Sequence, residues 1–130
     1  MTAELRTIHY VEDDEDIAEI AVMTLQELGN FDVTHCSSGQ SAIEAYDRVA
    51  PQIVLMDVMM PLMDGPETMT RLLRSYGSRC APVIFMTAKA QAHEQAAYRE
   101  MGALEVILKP FNPMTLCNDI NEIWRLKHAA

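Results

Sequence analysis

Four short segments carry side chains that suit phosphoryl chemistry. Glu12, Asp13 and Asp14 follow the apolar run Ile8-His9-Tyr10-Val11, and Asp57 follows Ile53-Val54-Leu55-Met56. Thr87 follows Val83-Ile84-Phe85-Met86, and Lys109 follows Val106-Ile107-Leu108. Carboxylates crowded on one rim are unfavourable alone, because like charges a few ångströms apart raise one another's pKa. A hard divalent cation removes that penalty. Mg2+ is typically held by one or two carboxylates together with phosphate oxygens and waters. A carboxylate such as Asp57 can attack phosphorus and form an aspartyl phosphate. Thr87 offers a hydroxyl donor to a phosphoryl oxygen, and Lys109 a compact positive charge. No G-x-x-x-x-G-K-[ST] loop is present, so a nucleotide cradle is not indicated and another protein's phosphoryl group is the expected donor.

These residues converge only if the runs before them are neighbouring strands. The four runs lack alternation and read as strands buried on both faces, as in a parallel sheet covered by helices. A fifth candidate, Phe31-Asp32-Val33-Thr34-His35, alternates and reads as a strand near an edge. Helical spacing fills the gaps. Ile17, Ile20, Ala21, Leu25 and Leu28 form one stripe ended by Gly29. Ala42, Ala45, Tyr46 and Val49 form another, stopped before Pro51. Met69, Leu72, Leu73 and Tyr76 form a third, from Pro66 to Gly77. Leu116, Cys117, Ile120, Ile123 and Trp124 form a last one, with Asn112 as N-cap and Pro113 as N1. Within about Ala90–Met101 only Ala92, Ala96 and Ala97 are available, which predicts the least firmly held helix. Asp14 and Glu15 suit a helix N-terminus, and Asp16 with Glu19 fits a capping box.

Five alternating strands and helices predict an α/β fold. The expected form is a doubly wound five-stranded parallel sheet, order 2-1-3-4-5, flavodoxin-like, with helices on both faces. Ligands bind such sheets at the carboxyl ends of the strands, here between the first and third. An eight-fold barrel needs roughly 250 residues and is excluded by length.

Composition agrees. At 130 residues, one domain over 1–130 is expected. With 49% hydrophobic and 22% charged residues the chain is not compositionally disordered. A formal charge of -9 argues against direct nucleic-acid binding. No apolar run approaches the ~20 residues of a membrane span, and no signal peptide opens the chain, so a cytoplasmic location is expected. Cys36, Cys80 and Cys117 lack a C-x-x-C spacing and read as reduced thiols. His9, His35, His93 and His128 show no metal-ligand spacing.

Tyr10-Val-Glu-Asp-Asp14, Met56-Asp-Val-Met-Met-Pro-Leu-Met-Asp-Gly65, Met86-Thr-Ala88 and Leu108-Lys-Pro-Phe111 resemble the signature segments of bacterial two-component response-regulator receiver domains. The resemblance spans nearly the whole chain, in order, and the D-x-M-M-P-x-M-D-G segment is highly specific. It implies that Asp57 is phosphorylated by a histidine kinase or a phosphotransfer protein. It implies Mg2+ at Glu12, Asp13 and Asp57, with Asp13 the more direct ligand and the Met59 backbone carbonyl completing the shell. Thr87 and Lys109 match the phosphoryl-sensing pair, and Lys109-Pro110 is often cis in this family. Val106 departs from the pattern, because an aromatic residue often stands three positions before the lysine. Met59 sets an apolar side chain beside the site, and is expected to alter water access and aspartyl-phosphate lifetime.

The expectation is a stand-alone, chemotaxis-regulator-like receiver: a switch with phosphoryl-transfer and autophosphatase chemistry only. It would pass its signal to a downstream protein through the fourth helix, fifth strand and fifth helix, with phosphorylation-dependent dimerisation as an option. Two alternatives use similar sheets. A haloacid-dehalogenase-type phosphatase needs a second acid two residues after the nucleophile, where Met59 stands. A flavodoxin-like flavin module needs a rim that accepts phosphate, and this rim is anionic.

Overall fold

The computed structural model describes residues 4–89 and 91–129. Thr7–Val11 (β1), Asp32–Cys36 (β2), Ile53–Asp57 (β3), Val83–Thr87 (β4) and Glu105–Leu108 (β5) form one parallel sheet in the order β2-β1-β3-β4-β5. Helices Glu15–Met23 (α1), Gly39–Val49 (α2), Gly65–Tyr76 (α3), Ala92–Glu100 (α4) and Leu116–Lys127 (α5) alternate with the strands. The expected fold class and strand order are both present.

Successive strand residues point to opposite faces, and each face has its own core. Val54 and Met56 of β3 pack with Val83 and Phe85 of β4 against Ala42, Tyr46, Met69 and Leu72 of α2 and α3. Ile53 and Leu55 pack with Ile84 and Met86 against Ala18, Ala21, Leu116 and Ile120 of α1 and α5. Each fully buried aliphatic side chain contributes about 1.5–3 kcal/mol, and β1, β3 and β4 carry the largest share of them. His9 is among the polar side chains enclosed with them. His9 Nε2–H donates to the Ala42 carbonyl at 2.9 Å, and Nδ1 has no partner among the described residues. Burial lowers the His9 pKa and keeps the ring neutral.

Five sequence expectations need correction. First, the buried side of α1 is Ala18 and Ala21, continued by Thr24 and Leu25, whereas Ile20 and Leu28 are exposed. A π-helical turn at Thr24–Leu28 changes the rotation per residue, so a stripe read at constant pitch drifts off the core at Leu28; Ile20 precedes that turn and stands to one side of the buried Ala18 and Ala21. Second, α1 is capped by Asp14, whose Oδ1 accepts the N–H groups of Asp16 and Ile17, so Asp16 is not its cap. Third, Asn112 caps a turn before α5 rather than α5 itself: its Oδ1 accepts the Met114 N–H, and the helix starts at Leu116. Fourth, β5 is half-exposed, because it is the second edge of the sheet. Fifth, the alanine stripe expected in the fourth helix is exposed, and α4 instead buries Tyr98, edge-on to Phe85. Ala90, at the start of the expected helix, lies outside the described residues.

Other local expectations hold. Gly77 ends α3 with φ 56°, and α2 runs to Val49 with Ala50 in the left-handed region before Pro51. The Lys109-Pro110 bond is cis. Among the described residues no helix is long and apolar enough to cross a membrane.

Candidate functional site

Parallel strands end on one rim, so the residues after β1, β3, β4 and β5 meet there. Glu12 follows β1, and its backbone N–H donates to the Cys36 carbonyl at the end of β2. Its carbonyl oxygen accepts a hydrogen bond from His35 Nε2 at 2.9 Å. The His35 ring leans on Tyr10, with centroids 5.6 Å apart. Strand β2 thus braces the acidic turn, a role for His35 that was not anticipated. The register Tyr10↔His35 explains it, since parallel pairing brings the ends of β1 and β2 level.

The Glu12 side chain is buried and held at both oxygens. Oε1 faces Lys109 Nζ at 2.9 Å, and Oε2 accepts the Asp14 N–H at 3.2 Å. Burial pushes its pKa up to about 7; the Asp57 carboxylate adds to this, while Lys109 and the Asp14 N–H oppose it. Asp13 is half-buried, and Asp57 is buried at the end of β3. Ligand atoms from Glu12, Asp13 and Asp57 lie within 4.8 Å of one another. Three carboxylate oxygens this close, one with a raised pKa, are an unfavourable arrangement alone and a fitting one for a hard divalent cation.

Lys109 Nζ reaches Glu12 at 2.9 Å and Asp57 Oδ1 at 3.3 Å. Burial works against its charge, but the Glu12 hydrogen bond and the Asp57 carboxylate outweigh burial and raise its pKa. It is a firmly cationic group lodged between two carboxylates. Thr87 is buried at the end of β4, the strand beside β3, in a register that pairs Asp57 with Met86. Its Oγ1 accepts the Lys89 N–H at 3.1 Å.

The β3–α3 loop is shaped by Gly65. Its N–H donates to the Val58 carbonyl at 2.9 Å, and a Cβ there would stand 2.5 Å from the Asp57 carbonyl oxygen. Asp64 caps α3 through the Glu67 N–H at 2.9 Å. Within this loop Met60 and Met63 are buried packing residues, whereas the Met59 side chain is 67% exposed and stands two positions from Asp57. Beside Lys109, an apolar cleft of about 220 Å³ lies between Ile17 and Ile20 of α1 and Pro110, Phe111 and Pro113. Ile20, exposed away from the core, forms part of the wall of this cleft.

The structure therefore brings Glu12, Asp13, Asp57 and Lys109 into direct proximity. It sets Thr87 on the adjacent strand end and Met59 on the loop above. Residues 8–121 match the model of the response regulator receiver domain family. The chain belongs to that family.

Such receiver domains are the phosphoacceptor signalling switches of two-component systems, and neither the phosphatase nor the flavin-module alternative is favoured. Among curated relatives, the regulatory protein AtoC of Escherichia coli is 37% identical over 101 residues, covering 77% of this chain and 21% of AtoC. The transcriptional regulatory protein CseB of Streptomyces avermitilis is 34% identical over 129 residues, covering 98% of this chain and 53% of CseB. The chain thus spans about half or less of the length of these relatives. Among solved structures, a putative response regulator from Chloroflexus aurantiacus superposes with a TM-score of 0.82 at 26% identity, covering 93% of this chain and 98% of that one. The chemotaxis response regulator CheY4 of Vibrio cholerae shares the fold, with a TM-score of 0.83 at 24% identity over 92% of this chain and 98% of its own.

Proposed function

We propose that Asp57 is the phosphoacceptor of this receiver. The observation that carries the reading is the convergence of three carboxylates and one ammonium on a single rim. Asp57 attacks the phosphorus of a phosphohistidine on a histidine kinase or phosphotransfer protein, the P–N bond breaks, and the imidazole leaves as the aspartyl phosphate forms. Glu12, Asp13 and Asp57, with the Met59 backbone carbonyl, would hold Mg2+. Bound there, the metal neutralises charge on the phosphoryl oxygens. Lys109 is placed to take one phosphoryl oxygen, exchanging its contact with Asp57 for that oxygen. Thr87 is placed to donate its hydroxyl to another.

Chemistry on this rim is regulatory, limited to accepting the phosphoryl group and losing it to water. The apolar cleft between Ile17, Ile20 and Phe111 supports docking of the phosphodonor beside Lys109. The readout for a downstream protein is the face of α4, β5 and α5, whose edge strand is half-exposed and whose fourth helix buries only Tyr98 among its described residues. Phosphorylation-dependent pairing of two copies would use the same face. A cytoplasmic setting, where Cys36, Cys80 and Cys117 stay reduced, fits this role.

The test is incubation with acetyl phosphate and Mg2+, followed by intact-protein mass spectrometry. Wild type gains one phosphoryl increment, which chelation of the metal prevents. Failure of wild type to gain it under any metal condition would overturn the reading.

A further inference from the structure

The site has more negative charge to balance than Lys109 alone can offset. Glu12, Asp13 and Asp57 share one corner, and Lys109 is already engaged by two of them. A phosphoryl group brings about -1.5 to -2 further charge at neutral pH.

Lys89 is positioned to answer that charge. Its backbone N–H is fastened to Thr87 Oγ1 at 3.1 Å, the same hydroxyl that the phosphoacceptor reading gives to the phosphoryl group. Its ammonium is turned toward α4 instead, 3.4 Å from Glu94 Oε2. Glu94 lies in the first turn of α4, with 27% of its side chain exposed against 50% for Lys89. Among the described residues, this end of α4 buries no side chain. Gln91, its N-cap, makes no side-chain capping bond, and the residue α4 buries, Tyr98, lies in its last turn. Half-exposed ion pairs are weak. A newly formed dianion close to Thr87 therefore competes well with one glutamate for this lysine.

We propose that Lys89 is a second phosphoryl-binding cation, held by Glu94 at the head of α4 until Asp57 is phosphorylated. The proposal rests on the phosphoacceptor reading and adds a path out of the site. When the phosphoryl group forms, Thr87 Oγ1 turns to it and Lys89 exchanges Glu94 for phosphoryl oxygens. The first turn of α4 then loses its ionic tether and opens more often. One event at Asp57 is thereby converted into a change on the α4 surface. Lys89 binds the phosphoryl group directly, and Glu94 is a positioning residue that acts through Lys89.

Beryllofluoride with Mg2+ serves as the phosphoryl mimic, compared across wild type, Lys89→Met, Lys89→Arg, Glu94→Gln and the Lys89→Met/Glu94→Gln pair. Affinity is measured by titration, and amide exchange is followed over residues 92–97. In wild type the mimic should speed exchange in that turn. Lys89→Met should bind the mimic roughly two- to fivefold more weakly, the range for a half-exposed ion pair, and lose the added exchange. Lys89→Arg, which keeps the charge, should recover most of the affinity. Glu94→Gln should bind more tightly than wild type and exchange faster before any mimic is added. The double variant should match Lys89→Met in affinity, since Glu94 acts only through the lysine. If wild type binds normally and Lys89→Met equals it in affinity and exchange response, the latch is refuted while Asp57 keeps its role. If wild type neither binds the mimic nor takes up a phosphoryl group, the phosphoacceptor reading falls and the latch falls with it.

Discussion

Lys109 and Glu12, 97 residues apart in sequence, form the tightest ion pair of the site, with Nζ 2.9 Å from Oε1 against 3.3 Å to Asp57. The lysine thus neutralises the acid that is most deeply buried and only secondarily the proposed nucleophile. Replacing it by Met leaves two buried carboxylates without their cation. Breaking such a pair costs about 3 kcal/mol. The loss should be larger at pH 8 than at pH 6, where Glu12 takes up a proton instead. Urea unfolding at the two pH values checks this. Uptake from acetyl phosphate should fall about 100-fold, the scale of losing one charged stabilising donor. Lys109→Arg should not restore it, because a planar fork does not fit a slot shaped for an ammonium.

Glu12 also sets a pH dependence. Its folded pKa of about 7 lies above the ordinary carboxylate value, so between about pH 4.5 and 7 the folded state binds more protons than the unfolded one. Its contribution to stability is full below that window and is lost as pH rises through it. Glu12→Gln should therefore gain stability over wild type as pH increases across this range, by up to about 3 kcal/mol, with the gain complete near pH 8. Mg2+ should act in the opposite sense on wild type. It binds the deprotonated acids, so the rise in Tm on adding it should be greater at pH 8 than at pH 5.5. Thermal melts with and without metal measure both effects.

Gly65 and Gly77 separate close approach from backbone strain. A Cβ at Gly65 meets the Asp57 carbonyl at 2.5 Å, whereas one at Gly77 meets nothing within 4 Å but sits at φ 56°. Gly65→Ala should cost about 1–3 kcal/mol through forced displacement and slow phosphoryl uptake, because what moves is the backbone of residue 57. Gly77→Ala should cost about 1–3 kcal/mol from a positive-φ conformation, φ 56° and ψ -132°, that L side chains avoid, and leave uptake unchanged. Equal uptake by the two variants would contradict the role given to Gly65.

Met59 lies two positions past Asp57 with its side chain largely exposed. On the phosphoacceptor reading, an apolar group there would shield the aspartyl phosphate from attacking water. Met59→Asn should shorten the phosphorylated lifetime several-fold, read from the decay of the phosphorylated mass after the donor is removed. Unchanged decay would remove the shielding idea.

Most of this arrangement was legible in the sequence because a parallel sheet leaves few alternatives. Apolar runs too continuous for one-sided strands fix β1, β3 and β4 as interior. Once they lie side by side, the polar residue after each must share a rim. The pairings across the rim were not legible. Which acid Lys109 prefers depends on burial of Glu12, and the lock of His35 on the Glu12 carbonyl depends on register between neighbouring strands. Local pitch was the other blind spot. The π-helical turn after Met23 moves Leu28 out of the core, and no residue at Thr24–Leu28 announces it. The capping of α1 by Asp14 rather than Asp16 follows from where β1 hands over to the helix, which five consecutive acidic residues, Glu12 to Asp16, leave open.

The most direct test of the central claim is to locate the phosphoryl group. Wild type and Asp57→Asn are treated with acetyl phosphate and Mg2+, trapped by borohydride reduction, digested and sequenced by tandem mass spectrometry. The account predicts reductive conversion of residue 57 in wild type alone, absent when the metal is chelated. Conversion at any other acid in wild type, or equal phosphoryl uptake by Asp57→Asn, would contradict it.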